Sequence, residues 1–188
     1  GRAGRVAPGT CYRLWTRGED GALPAHAPPE IETADLAPLA LELALWGAPP
    51  EAVPLLTPPN PGSYGEAVAL LRDLGALDPG GAITAHGRRI AAMPTHPRLA
   101  NMLVRIGKPA ATLAALLAKR DPLPRSAPVD LSLRLEAIAD PRAFGDRRPW
   151  SPDRSAVARI REDAKRLARL APDGSLQPLS EMVALAYP

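Results

Sequence analysis

Apolar residues recur along this chain mainly at three- and four-residue intervals, the period of a helix with one buried face. The spacing predicts a helix over residues 33–46, with Thr33 as its N-cap and Leu36, Leu39, Ala40 and Leu43 on one stripe. Gly47, Pro49 and Pro50 stop it. Residues 51–56 read as a short helix and 57–62, with three prolines, as a rigid loop. Ser63 then caps a helix over 64–74 that turns Ala67, Leu70, Leu71 and Leu74 inward. In 76–84 two tiny apolar arms flank the turn Pro79-Gly80-Gly81, the pattern of a minimal β-hairpin. Thr84 caps a helix to Met93, and Pro97 opens another to Ile106 from its N1 position.

From Lys108 onward the pattern is helical only. Residues 110–119 are rich in Ala and Leu, and Asp130 caps 131–139. Residues 140–152 read as irregular and basic, carrying Arg142, Arg147, Arg148 and Trp150. Ser151 or Asp153 starts the longest helix, to Leu170, with Val157, Ile160, Ala164, Leu167 and Leu170 or Ala171 as its buried stripe. A last helix covers 179–186. Near the N-terminus, Thr10-Cys11-Tyr12-Arg13-Leu14-Trp15 alternates like a strand, yet few other segments could pair with it. That mismatch leads us to expect a strand whose sheet lies elsewhere in a longer protein.

Composition supports the helical reading. Apolar residues make up 46% of the chain but aromatics only 4%, so the core must be built from Leu, Ala, Val and Ile. Twenty-four prolines and fifteen glycines punctuate many short elements. The net charge is +3, and all but three of the 23 cationic residues are Arg, a balance compatible with nucleic-acid contact. A single cysteine, Cys11, excludes an internal disulfide framework and suits the cytoplasm; it reads as a small buried hydrophobe. No apolar run approaches the roughly 20 residues needed to span a bilayer, so no membrane contact is expected. His86 and His96 lack neighbours at metal-ligand spacing, and no metal site is expected.

The first five residues, Gly1-Arg2-Ala3-Gly4-Arg5, resemble the second half of helicase motif VI, Gln-Arg-x-Gly-Arg-x-Gly-Arg. Similarity to DEAH-box nucleic-acid helicases continues in order through Pro29-Glu30-Ile31, Asp35-Leu36-Ala37-Pro38-Leu39 and Leu74-Gly75-Ala76-Leu77-Asp78. It extends through Ile83-Thr84-Ala85-His86-Gly87-Arg88-Arg89-Ile90 and His96-Pro97-Arg98-Leu99-Ala100. The resemblance implies the C-terminal accessory piece of an ATP-dependent helicase acting on single-stranded nucleic acid, namely RNA. The implied fold is mainly α: a strand remnant of a RecA-like domain (1–28), a winged-helix module with a small β-hairpin (29–107), and a helical ratchet-like bundle (108–188).

By the same resemblance Arg2 and Arg5 are arginine fingers on the γ-phosphate of ATP, with Gly4 between them in the nucleotide-binding motif. A planar, permanently charged guanidinium suits that task, because it offers paired donors as charge builds on phosphate oxygens. ATP and Mg²⁺ would belong to the intact parent, working with the rest of the motor in cis. This chain contains neither the Gly-x-x-x-x-Gly-Lys-Ser/Thr loop nor the Asp-Glu-x-His box that would hold them, so the chain alone is expected to be inactive.

Two stretches are candidates for nucleic-acid contact. Arg147, Arg148, Arg154 and Arg161, with Arg159, Lys165 and Arg166 nearby, could line a single-strand channel, and Trp150 could stack on a base. The competing reading is a solvated helix face neutralised by Asp153, Glu162 and Asp163. Arg88 and Arg89 would be the contacts of a free winged-helix DNA-binding regulator, though that helix carries no Asn or Gln to read bases. A pure protein-interaction module is the remaining alternative.

Overall fold

The architecture is known from a computed structural model. It describes residues 3–24 and 26–188. Helices dominate, as the periodicity predicts. Two short elements come first, α1 (Arg17–Ala22) and α2 (Glu30–Thr33). Next are α3 (Ala37–Trp46), α4 (Pro61–Asp73) and α5 (Ala85–Ala91). A central α6 (Pro97–Ile106) leads into α7 (Ala111–Leu117), α8 (Leu131–Ala139) and α9 (Pro141–Arg147). Finally come α10 (Arg154–Leu170) and α11 (Leu179–Ala186).

The strand predicted at residues 10–15 does not form, and no described residue from Ala3 to Glu30 is buried. With no neighbouring strand to bond, its side chains turn to a local partner instead. Arg13 Nη1 lies 2.6 Å from Asp20 Oδ2, and Trp15 Nε1 donates to Asp20 Oδ1 at 2.9 Å. Thr16 and Glu19 form a reciprocal capping box that starts α1. Cys11 is exposed in this segment, not buried.

The predicted hairpin contracts to a single antiparallel bridge between Leu77 and Ile83. With three-residue arms and no third strand, one bridge is as much ladder as the segment can support. Asp78 holds the turn, its carboxylate accepting the Ala82 amide at 2.9 Å, while Gly81 supplies the positive φ of 89°. Thr84 starts α5 as expected: its hydroxyl accepts the Gly87 amide at 2.9 Å and donates to the Gly75 carbonyl at 2.7 Å. Gly87 itself lies against the Ala76 carbonyl, leaving no room for a Cβ.

Three apolar clusters form. Leu36 just before α3, Ala40 and Leu41 of α3, Ala67 and Leu71 of α4, Leu77 and Ile90 make the first. Leu113 and Leu116 of α7, Ile160 and Leu167 of α10, and Met182 and Ala186 of α11 make the second. A small third one gathers Leu123, Ala127, Ala137 and Phe144, with Trp150 packed on it. Helix α6 serves two of them: Ala100 and Val104 face the first cluster, and Leu99, Met102 and Leu103 the second. Its buried positions therefore run almost without a break from Pro97 to Val104.

Candidate nucleic-acid interface

Helix α10 bounds the site because its sequence is two-faced. Ala156, Val157, Ile160, Ala164 and Leu167 are buried, which leaves Arg154, Arg161 and Lys165 along one border of the apolar stripe. Asp153 starts the helix by accepting the Ser155 and Ala156 amides at 2.8 and 3.1 Å. The Ser155 hydroxyl, with the backbone amides, holds the Asp153 carboxyl below its ordinary range.

A cleft of about 670 Å³ opens between α9 and the first half of α10, lined by Arg142, Asp146, Ser151, Arg154, Ala158 and Arg161. A second, of about 470 Å³, opens between α7 and the second half of α10, lined by Lys108, Thr112, Arg161, Lys165 and Ala168. Arg161 lines both, so the two clefts lie side by side along α10. Arg142, Arg154 and Lys165 form no ion pair among the described residues, and Lys108 pairs with Asp173 at 2.5 Å. That contact lowers the Asp173 pKa, with the Lys108 hydrogen bond as its main cause.

The four predicted arginines are divided by the structure. Arg147 Nη2 and Arg148 Nη2 both lie 3.1 Å from oxygens of Glu136, so one carboxylate holds the pair. Arg161 donates from Nε to the Ile138 carbonyl and from Nη2 to the Ala139 carbonyl, each at 2.8 Å. It thereby satisfies two of the orphan carbonyls at the end of α8 and ties that helix to α10. Its Nη1 has no partner among the described residues. Arg154 faces the first cleft. Arg166 points elsewhere, to Asp163 at 2.5 Å, a carboxylate it shares with Lys119 at 3.5 Å.

Sequence reasoning missed Lys108 and Thr112, which reach the second cleft from outside α10. It also missed Arg134, which is 6% exposed. Arg134 donates to Asp121 Oδ2 at 2.8 Å, to the Asp130 carbonyl at 3.1 Å and to the Pro128 carbonyl, binding the loop before α8 into the fold. No local sequence signal marks the Asp121 contact, because that partner lies thirteen residues away.

On α5, Arg88 and Arg89 are exposed while Gly87 and Ile90 are buried against the first cluster. Trp150 is half-buried at the third cluster. At the N-terminus, Gly4 and Arg5 are exposed, and Arg2 lies outside the described residues. Among the described residues no group of three His, Cys, Asp or Glu side chains could hold a metal ion. No helix among the described residues is long and apolar enough to cross a membrane.

Comparison with known proteins places this geometry. The family model of the winged-helix, helicase-associated domain HA2 matches residues 67–95. The human probable ATP-dependent RNA helicase DHX34 is 33% identical over 159 residues, covering 81% of this chain and 13% of that protein. The ATP-dependent RNA helicase HrpB of Escherichia coli K12 is 37% identical over 136 residues, covering 71% and 17%. The crystal structure of the E. coli DEAH/RHA helicase HrpB superposes with a TM-score of 0.70 at 29% identity, over 100% of this chain and 22% of that one. This chain thus spans under a quarter of the length of each of these relatives. The chain is similar to the C-terminal, helicase-associated region of DEAH-box RNA helicases.

Proposed function

We propose that this chain is the accessory region of an ATP-dependent RNA helicase, and that the groove along α10 holds the phosphate backbone of a single strand. The observation that carries this reading is the sequence of cations Arg142, Arg154, Arg161 and Lys165 along two adjacent clefts. Cations without carboxylate partners attract phosphate without reading bases, which gives sequence-tolerant, salt-sensitive binding. Thr112 adds a hydroxyl beside Lys108 and Lys165.

In this reading, residues 1–28 end a RecA-like domain, 29–107 are the winged-helix module and 108–188 the helical bundle. The winged-helix module acts as a packing hub. Its support is that α5 uses Gly87 and Ile90 to pack inward and is only seven residues long. In the intact cytoplasmic enzyme, Arg2 and Arg5 would reach ATP bound with Mg²⁺ by the rest of the motor. Closure of the cleft between the motor's two RecA-like domains would then move the accessory region along the strand. Arg147 and Arg148 together contribute less than Arg154 and Lys165, since Glu136 offsets one of their two charges.

Fluorescence anisotropy with single-stranded RNA and with duplex DNA, across a salt series, tests the proposal. Single-strand binding that weakens steeply with salt supports it. Sequence-specific duplex binding without single-strand binding would overturn it in favour of a DNA-binding regulator.

A further inference from the structure

We propose that Asn101 is a conformational latch through which α5 controls the docking of the C-terminal helix α11. Asn101 lies in α6 and is only 3% exposed. Its Oδ1 accepts from His86 Nε2 of α5 at 2.6 Å and from Arg105 Nε at 3.1 Å. Its Nδ2 donates to the Leu185 carbonyl of α11 at 2.6 Å.

The direction of these bonds is fixed by chemistry. Arg89 Nη2 lies 3.3 Å from His86 Nδ1, and a guanidinium is always a donor. Nδ1 is therefore the acceptor, and the proton is on Nε2, aimed at Asn101. The chain runs one way, from Arg89 to His86 to Asn101 to the end of α11. Turning the amide over would set Oδ1 against the Leu185 carbonyl and Nδ2 against two donors. Three bonds would become three repulsive contacts, so the amide has a single orientation.

Helix α11 depends on this support. The last carbonyls of any helix lack partners within it, and the final turn of α11 carries no basic side chain to satisfy them. Two side chains of α6 do so instead: Asn101 takes the Leu185 carbonyl, and Arg98 Nη1 takes that of Ala186 at 3.4 Å. Because His86 orients the amide that holds α11, loss of the His86 donor loosens a helix that His86 bonds only through Asn101.

Hydrogen exchange on the full chain tests the latch, comparing wild type with His86→Leu and Asn101→Leu. In Asn101→Leu, amides in 183–187 are expected to exchange roughly tenfold faster, while 160–167 of α10 stay within about twofold. In His86→Leu the α11 amides accelerate selectively by roughly threefold, transmitted through Asn101. Should Asn101→Leu fail to fold, His86→Leu alone decides. Unchanged α11 exchange in His86→Leu, or the same acceleration in every helix, would overturn the proposal.

Discussion

His96 Nε2 lies 3.1 Å from Asp35 Oδ2, joining the start of α6 to the loop before α3 across 61 residues of sequence. The same ring caps α6, since its Nδ1 accepts the Arg98 amide at 3.3 Å. Nδ1 must then be unprotonated and Nε2 must carry the hydrogen, so the fold selects a neutral imidazole. Burial lowers the His96 pKa further; the Asp35 carboxylate opposes that shift, while the nearby Arg98 charge adds to it. Asp35 uses its other oxygen, Oδ1, to accept the Ala37 amide at 2.8 Å.

A pH dependence follows from that tautomer. With a folded pKa below the ordinary 6.5, the unfolded chain binds the proton more readily than the folded one. The stability contributed by neutral His96 is full above about pH 6.5 and is lost as pH falls through the folded value. Thermal denaturation at pH 7.5 and 5.5 should show a loss of Tm in the wild type. His96→Asn keeps a capping acceptor but cannot titrate, and should show a smaller loss.

The two glycines Gly87 and Gly65 should respond oppositely to alanine. A Cβ at Gly87 would overlap the Ala76 carbonyl, so Gly87→Ala is expected to cost roughly 2–4 kcal/mol. Gly65 is exposed in the interior of α4 with nothing near its Cβ position, so Gly65→Ala should stabilise by about 0.5–1 kcal/mol. Urea denaturation of both variants measures the contrast.

Arg134 should behave as a core residue despite its charge. Replacing it with Met removes bonds to Asp121 and two carbonyls and leaves the loop before α8 unsupported. The expected destabilisation is about 2–4 kcal/mol, and Arg134→Lys should recover only part of it because Lys cannot span the fork. Exchange mapping should place the new mobility in residues 121–130.

The helices with strong local signals were legible in the sequence. Asp130 and Thr84 start α8 and α5 as their positions predict, Asp153 is the one of the two expected starts that caps α10, and α11 spans the predicted residues. Elements decided by distant partners were not. Thr33 ends α2 instead of capping α3, whose first turn is held by Asp35. Asn60 starts α4 through the Gly62 and Ser63 amides, with Pro61 at N1, three residues before the expected start. The 51–56 helix shrinks to a single 3₁₀ turn at Pro50–Ala52. Residues 140–152 read as irregular, but α9 forms there. Asp140 followed by Pro141 is a start signal, and Asp140 caps the helix through Arg142 and Ala143. Within the candidate site, the positive border of α10 was visible. The pairing of Arg147 and Arg148 by Glu136, eleven and twelve residues away, was not.

The central claim is that the groove on α10, rather than basic charge in general, holds the strand. Two double variants separate these possibilities while removing equal charge: Arg154→Ala with Lys165→Ala, and Arg147→Ala with Arg148→Ala. Each phosphate contact on a single strand contributes about 0.7 to the slope of log affinity against log salt. The account predicts that the groove pair weakens single-stranded RNA binding several-fold and makes that slope shallower by about 1.4, with little change for the Glu136-bound pair. Equal losses in both variants, or a larger loss in the Arg147 and Arg148 pair, would contradict it.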